Sequence, residues 1–205
     1  MEFYTALKTR RSRYDLTDAS PISDTRVQEI LSDAITNTPS AFHSQSSRAV
    51  LLFGVRHKKL WDIAAQSLRA IVPPEKFGPT ETKLQSFAAG HGTILYFEDM
   101  DAVRKLQEDF PGYAENFPVW SNQSAGMLQY VVWTALAQEG LGASLQHYNP
   151  LIDAAVAKEF DVPGNWKLLA QMPFGVSPGQ PDALSHKPIE ERMIVQGGPS
   201  HDSNS

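Results

Sequence analysis

Residues 119–138 constrain this chain more than any other stretch of it. Trp120, Met127, Leu128, Val131, Val132, Ala135 and Leu136 fall at helical spacing, yet they spread around much of the helix girth instead of forming one stripe. A helix that is apolar on most sides has to be surrounded, so the remaining elements must be arranged about it. Gly140 and Gly142 follow and end it. Before it, the spacing predicts a helix over 1–8 and another beginning near residues 23–25, where Ser23 is a fitting N-cap and Asp24 adds negative charge to the first turn. Further helices are expected over 57–71, with Leu60, Trp61, Ala64, Leu68 and Ile71 inward, and over 101–109 and 150–160. Residues 83–89 fit another helical turn or two. Short continuous apolar runs at 49–55, 93–97 and 166–174 read as buried strands, and 143–148 as a short extended segment. Strands alternating with helices on one core make an α/β or α+β domain over 1–197, with a polar, disordered tail at 198–205.

Several function classes are excluded early. With 23 acidic against 18 basic residues the net charge is −5, and no basic stripe rises out of the sequence, so nucleic acid is not an expected partner. No apolar run reads as a bilayer span and the first residues lack signal-peptide order, which points to the cytoplasm. The chain has no cysteine, which removes disulfides, thiolate nucleophiles and iron–sulfur ligation. Six scattered histidines lack metal-site spacing, so no metal is expected. There is no Gly-x-Ser-x-Gly elbow and no Walker-type loop.

What remains is a set of polar segments. Arg10-Arg11-Ser12-Arg13-Tyr14 places three guanidinium forks and a hydroxyl where the first helix gives out. That inventory suits a phosphate monoester, or else it is a solvated surface run. The loop carrying Phe42, His43, Gln45, Ser46 and Arg48 adds an amide, hydroxyls and another cation. Its plainer reading is backbone satisfaction by Gln45 and Ser46 and a structural salt bridge at Arg48. Ser144, Leu145, Gln146 and His147 lie beside two glycines, with His147 either a ligand group or a satisfied semi-buried histidine, and Lys187 is a late cation.

Taken in order, these segments resemble the nitroreductase family of FMN-dependent, homodimeric NAD(P)H oxidoreductases, over nearly the whole chain. Arg10-Arg11-Ser12 with Tyr14 resembles the family's N-terminal Arg-Arg-Ser motif, and Pro39 to Arg48 its second flavin-contacting loop. Gly140 to Tyr148 resembles the glycine-bearing segment beside the flavin ring, and Pro188-Ile189-Glu190-Glu191-Arg192 the closing Pro-x-Glu-Glu signature. The wording is similar to a compact subgroup of fungal and lactic-acid-bacterial proteins linked to fatty-acid regulation and stress response. Two positions depart from the pattern: His43 stands where the subgroup often has asparagine, and Lys187 directly precedes the proline.

The resemblance implies an α+β nitroreductase-like fold, with a central mixed sheet flanked by helices and the long helix at a homodimer interface. It implies that Arg10, Arg11, Ser12 and Tyr14 bind the flavin phosphate and ribityl region, with Lys187 as a further cation. His43, Gln45 and Ser46 would meet the ribityl chain or ring, and Leu145, Gln146 and His147 would line the ring. Phe42, Phe117, Trp120 and Tyr148 are candidates to line the substrate opening, or else belong to core or interface, with Trp120 favoured for the interface. The implied activity is hydride transfer from NADH or NADPH to nitroaromatic or quinone-like acceptors by a ping-pong mechanism. The alternative is a flavin-binding regulatory or FMN-storage protein without significant turnover. A third class, an α/β protein without flavin and with a surface Arg cluster, has no place for a yellow chromophore.

Overall fold

Strand alternation decides which helices share a face of the sheet. The structure is a computed structural model that describes residues 2–197; the tail expected at 198–205 lies outside the described residues. Four strands, β1 (Ser47–Phe53), β2 (Gly92–Asp99), β3 (Gly142–Ala143) and β4 (Trp166–Gly175), run in the order β1-β2-β4-β3 with every neighbouring pair antiparallel. The parallel component of the expected mixed sheet is one isolated bridge, between Ser12 and Ala143. Successive side chains on a strand face opposite ways. Ile94 and Tyr96 therefore enter one core with Val27 and Leu31 of α2 (Asp24–Asn37) and Leu128, Val132 and Leu136 of α6 (Phe117–Gln138). Leu95 and Phe97 enter a second core with Leu60, Trp61 and Ala64 of α3 (Gly54–Arg69), Phe87 of α4 (Gly78–Ala88) and Val156 of α7 (Asp153–Glu159). The remaining helices are α1 (Phe3–Thr9) and α5 (Met100–Asp109).

A register shift at Tyr96/Phe97 leaves Leu169 of β4 unpaired. An extra residue in one strand flips the facing of everything beyond it, so Leu168 joins the second core while Ala170, Met172 and Phe174 stay in the first.

Local signals hold at the helix ends. The Ser23 side chain accepts from the Arg26 N–H at 3.1 Å, capping α2. At the end of α6 the Gly140 N–H reaches the Ala137 carbonyl and the Leu141 N–H reaches that of Leu136, a Schellman closure with Gly140 at φ +85°. Gly142 does a different job from the expected one. A Cβ there would lie 2.9 Å from the Arg13 and Ser177 side chains, so glycine admits the N-terminal segment against β3. β1 ends at Phe53 and α3 starts at Gly54, two or three residues earlier than expected. α3 accordingly stops at Arg69, and Ile71, expected inward, is exposed.

Candidate functional site

The backbone brings two of the sequence-selected segments together. α1 ends as the Arg10 N–H bonds the Ala6 carbonyl, after which the chain extends and Ser12 bridges Ala143, the Arg13 N–H meeting the Ala143 carbonyl at 2.9 Å. The Arg10 guanidinium lies 4.3 Å from the centre of the Trp133 ring and 5.9 Å from that of Tyr130, both on α6. Its Nε is buried with no hydrogen-bond partner. Among the described residues neither Arg10 nor Arg11 is ion-paired with a carboxylate, and Arg11 donates instead to the Asp182 carbonyl at 2.6 Å. Arg13 is different. Its side chain is 12% exposed, donates to the Ser177 hydroxyl at 2.7 Å and to the Gly179 carbonyl, and lies 3.6 Å from Asp15. The reading of the cluster as a solvated run therefore fails for Arg13, which stitches residues 177–179 to the N-terminal segment. A cleft of about 500 Å³ opens beside these groups, lined by residues 10–15 and 180–182. Tyr14 sits at this cleft, half exposed, its ring 6.2 Å from Phe87.

Residues 144–148 follow β3 along β4. Gln146 exchanges both backbone bonds with Gln171, and the Gln171 amide oxygen accepts from the Tyr148 N–H at 2.8 Å. The Gln146 side chain is buried and donates to the Ser144 hydroxyl at 3.0 Å. Leu145 packs against the first core, and His147 is exposed, not semi-buried. Tyr148 turns to the second core, edge-on to Trp61 at 5.9 Å, and burial pushes its hydroxyl pKa up. Lys187 is exposed on the segment that follows the first cleft's rim.

The second loop is the most strained backbone described. Phe42, His43 and Gln45 have φ of 53°, 52° and 48°, each costing about 1–2 kcal/mol for a side chain with a Cβ. Surrounding bonds hold them there. The Ser40 hydroxyl accepts from the Gln45 N–H at 3.0 Å, and Arg48 donates to the Gln45 carbonyl at 2.6 Å while ion-pairing with Asp99 at 2.8 Å. Arg48 thus plays its structural role. Ser46 is fully buried, its hydroxyl 3.1 Å from that of Ser44 and its carbonyl accepting from the Asp99 N–H at 2.9 Å. His43 and Gln45 touch side chain to side chain at the mouth of a cleft of about 470 Å³, which Ile35, Arg48, Ser124 and Leu128 help to line.

Phe42 closes one end of this loop. Its ring stacks on Trp120 at 6.0 Å and contacts Phe110 at 4.9 Å, Phe117 at 5.2 Å and Tyr113 at 6.1 Å. Three of the four aromatic residues proposed for the substrate opening thus meet, and Tyr148 stands apart from them. Phe110 and Tyr113 were missed. Their spacing with Phe117 and Trp120 was the available signal, hidden because the turn Pro111–Tyr113 separates α5 from α6. Within one chain, the Arg10–Tyr14 group and the His43–Gln45 group line two different clefts. No helix among the described residues is long and apolar enough to cross a membrane, α6 included.

The nitroreductase family model matches residues 7–176. Nitroreductase FRM2 of Saccharomyces cerevisiae is 34% identical over 182 residues, 88% of this chain and 90% of that protein. Nitroreductase CinD of Lactococcus lactis, in complex with chloramphenicol, superposes with a TM-score of 0.86 at 43% identity, covering 95% of this chain and all of that one. The same protein with 4-nitrophenol gives 0.85 at 44% identity over the same shares. A structure from Desulfovibrio desulfuricans in complex with FMN shares the fold at 20% identity, with a TM-score of 0.71 over 97% of this chain and 99% of that one. A match over most of the chain, to sequences and to structures alike, makes this protein a member of the nitroreductase family.

Proposed function

We propose that this chain is an FMN-dependent oxidoreductase that takes hydride from NADH or NADPH and reduces nitroaromatic or quinone-like acceptors. One domain over residues 1–197 carries the site. The observation that carries this reading is the Arg10–Tyr14 cleft. Two guanidinium groups there have no carboxylate partner among the described residues, and one of them has a buried, unpartnered Nε–H. A phosphate monoester supplies the charge and acceptors that such a donor set lacks. Arg10 and Ser12 would hold the phosphate with Arg11 beside them, Tyr14 lines the same cleft, and Lys187 would be a further cation. His43 and Gln45 would serve the ribityl or ring side, with the buried Ser46 supporting them from behind. Leu145 and His147 fit as ring-side wall, with Gln146 set behind them, its backbone paired with Gln171 and its amide engaged with Ser144. Bound there, FMN supplies the redox chemistry, accepting hydride and passing it to the acceptor in separate half-reactions, which predicts ping-pong kinetics. Phe42 and Trp120 offer flat apolar surface to an electron-poor ring, in keeping with the nitro compounds bound by CinD, whereas Phe117, expected at the opening, is buried and packs behind them.

The two donor groups line separate clefts, and a second copy of the chain supplies the means of uniting them. Val119, Met127, Tyr130 and Val131 are exposed on α6, as are Phe3, Tyr4 and Leu7 on α1, a large apolar face for one soluble subunit. This supports a homodimer with the site at its seam. The test is anaerobic mixing of the purified yellow protein with NADH or NADPH. Rapid bleaching of the flavin is expected; persistent colour at saturating donor overturns the enzyme reading in favour of flavin binding without turnover. A colourless protein that does not take up FMN refutes the cofactor assignment.

A further inference from the structure

β2 ends in two carboxyl groups with opposite surroundings. Asp99 is fully engaged: it pairs with Arg48, accepts from the Asn165 amide at 2.8 Å and caps α5 through the Asp101 N–H at 3.0 Å. Glu98 is 1% exposed, and neither of its oxygens has a hydrogen-bond partner. A carboxylate buried with so little hydrogen bonding is disfavoured against the neutral acid. Burial pushes the Glu98 carboxyl pKa up; the Ser46 hydroxyl and the Arg48 guanidinium act against this without reversing it, and Asp99 adds to it. Phe97 faces the second core, so alternation points Glu98 to the other face, toward α6 and the loop that precedes β1. Ser46 is the link. It is fully buried, acts on the Glu98 carboxyl, is bonded through its carbonyl to Asp99, and lies 3.1 Å by its hydroxyl from Ser44, which sits between the left-handed His43 and Gln45.

We propose that Glu98 is a positioning residue for the flavin-side loop: as a neutral acid beneath Ser46 it supports the 42–45 turn, and its ionisation loosens that turn and weakens FMN binding. Ionisation would put a second negative charge beside Asp99 in a buried site, and opening the loop that covers it brings water to that charge. The charged groups that act on Glu98 are Arg48 on β1 and Asp99 on β2, and the exposed Lys167 stands opposite it in the β4 register. α6 contributes only Ser124 and Leu128 to the cleft above the loop.

The FMN half of this inference rests on the proposed function; the loop half does not. The experiment follows FMN affinity by flavin fluorescence, and amide exchange of residues 42–47 with and without FMN, over a pH series that starts just above the ordinary carboxyl range and rises to about pH 9. Wild type, Glu98→Gln and Glu98→Ala are compared as full chains. Wild type should lose at least about tenfold in affinity across the range, with faster exchange confined to the loop. Glu98→Gln, neutral at every pH, should keep the affinity and flatten the profile, while Glu98→Ala should exchange fast throughout. A Glu98→Gln profile that tracks wild type, or a pH-independent loop in wild type, overturns the proposal, and neither depends on the alanine variant folding. If no form binds FMN, the cofactor reading falls, and exchange in the unloaded protein still decides whether Glu98 holds the loop.

Discussion

Acidification should destabilise this protein through one buried histidine. His57, on α3, is 1% exposed; its Nδ1 lies 2.8 Å from the Thr93 hydroxyl and its Nε2 lies 3.2 Å from the Ala88 carbonyl. The Thr93 oxygen already accepts from the Trp61 Nε1–H at 3.1 Å, so its own proton is free to go to Nδ1, and the carbonyl requires Nε2–H. One neutral tautomer satisfies every partner, and a second ring proton would force the Thr93 hydroxyl to turn its own proton away from the ring. Burial pushes the His57 pKa down from 6.5 to about 4, outweighing the Ala88 carbonyl, which favours the charged ring. The unfolded chain therefore binds the proton between pH 6.5 and about 4 while the folded chain does not. The resulting stability is present above pH 6.5 and is lost as the pH falls toward about 4, amounting to about 3 kcal/mol at 1.36 kcal/mol per pH unit. Urea unfolding at a series of pH values measures it. His57→Gln, which cannot charge, should start less stable at pH 7 and lack this part of the acid slope. If wild type and His57→Gln lose stability in parallel over that window, the ring is not held neutral and the assignment is wrong.

Three other outcomes follow from the site and its supports. Arg10→Ala should weaken FMN by about 1.5–3 kcal/mol, a Kd rise of roughly 10- to 150-fold by fluorescence titration, because a charge-assisted bond to phosphate is lost. Gly142→Ala should lower the melting temperature, by an equivalent of about 1–3 kcal/mol, since the new methyl collides with Arg13 and Ser177 and separates the N-terminal segment from β3. Val131→Glu, a charge on the exposed apolar face of α6, should shift sedimentation from dimer to monomer and release FMN; a variant that stays dimeric places the interface elsewhere.

Much of this was legible from short-range pattern. The girth of α6, the Ser23 cap and the Gly140 stop are properties of a few consecutive residues, and periodicity or cap chemistry reports them directly. The guanidinium cluster and the polar loops were likewise visible as composition, and the absence of cysteine settled what chemistry was not available. Other features depended on partners far along the chain. Leu168 changed faces because of an unpaired Leu169, which no alternation pattern announces. Arg13 is structural because Ser177 and Gly179 return to it, and Phe110 and Tyr113 join Phe42 only because the chain turns between α5 and α6. Glu98 reads in sequence as an ordinary acidic strand end; register beneath Ser46 is what buries it. Side-chain chemistry and local spacing are written in neighbouring residues, while burial, facing and charge state are set by contacts between elements, and those exist only once the sheet and α6 have closed on each other.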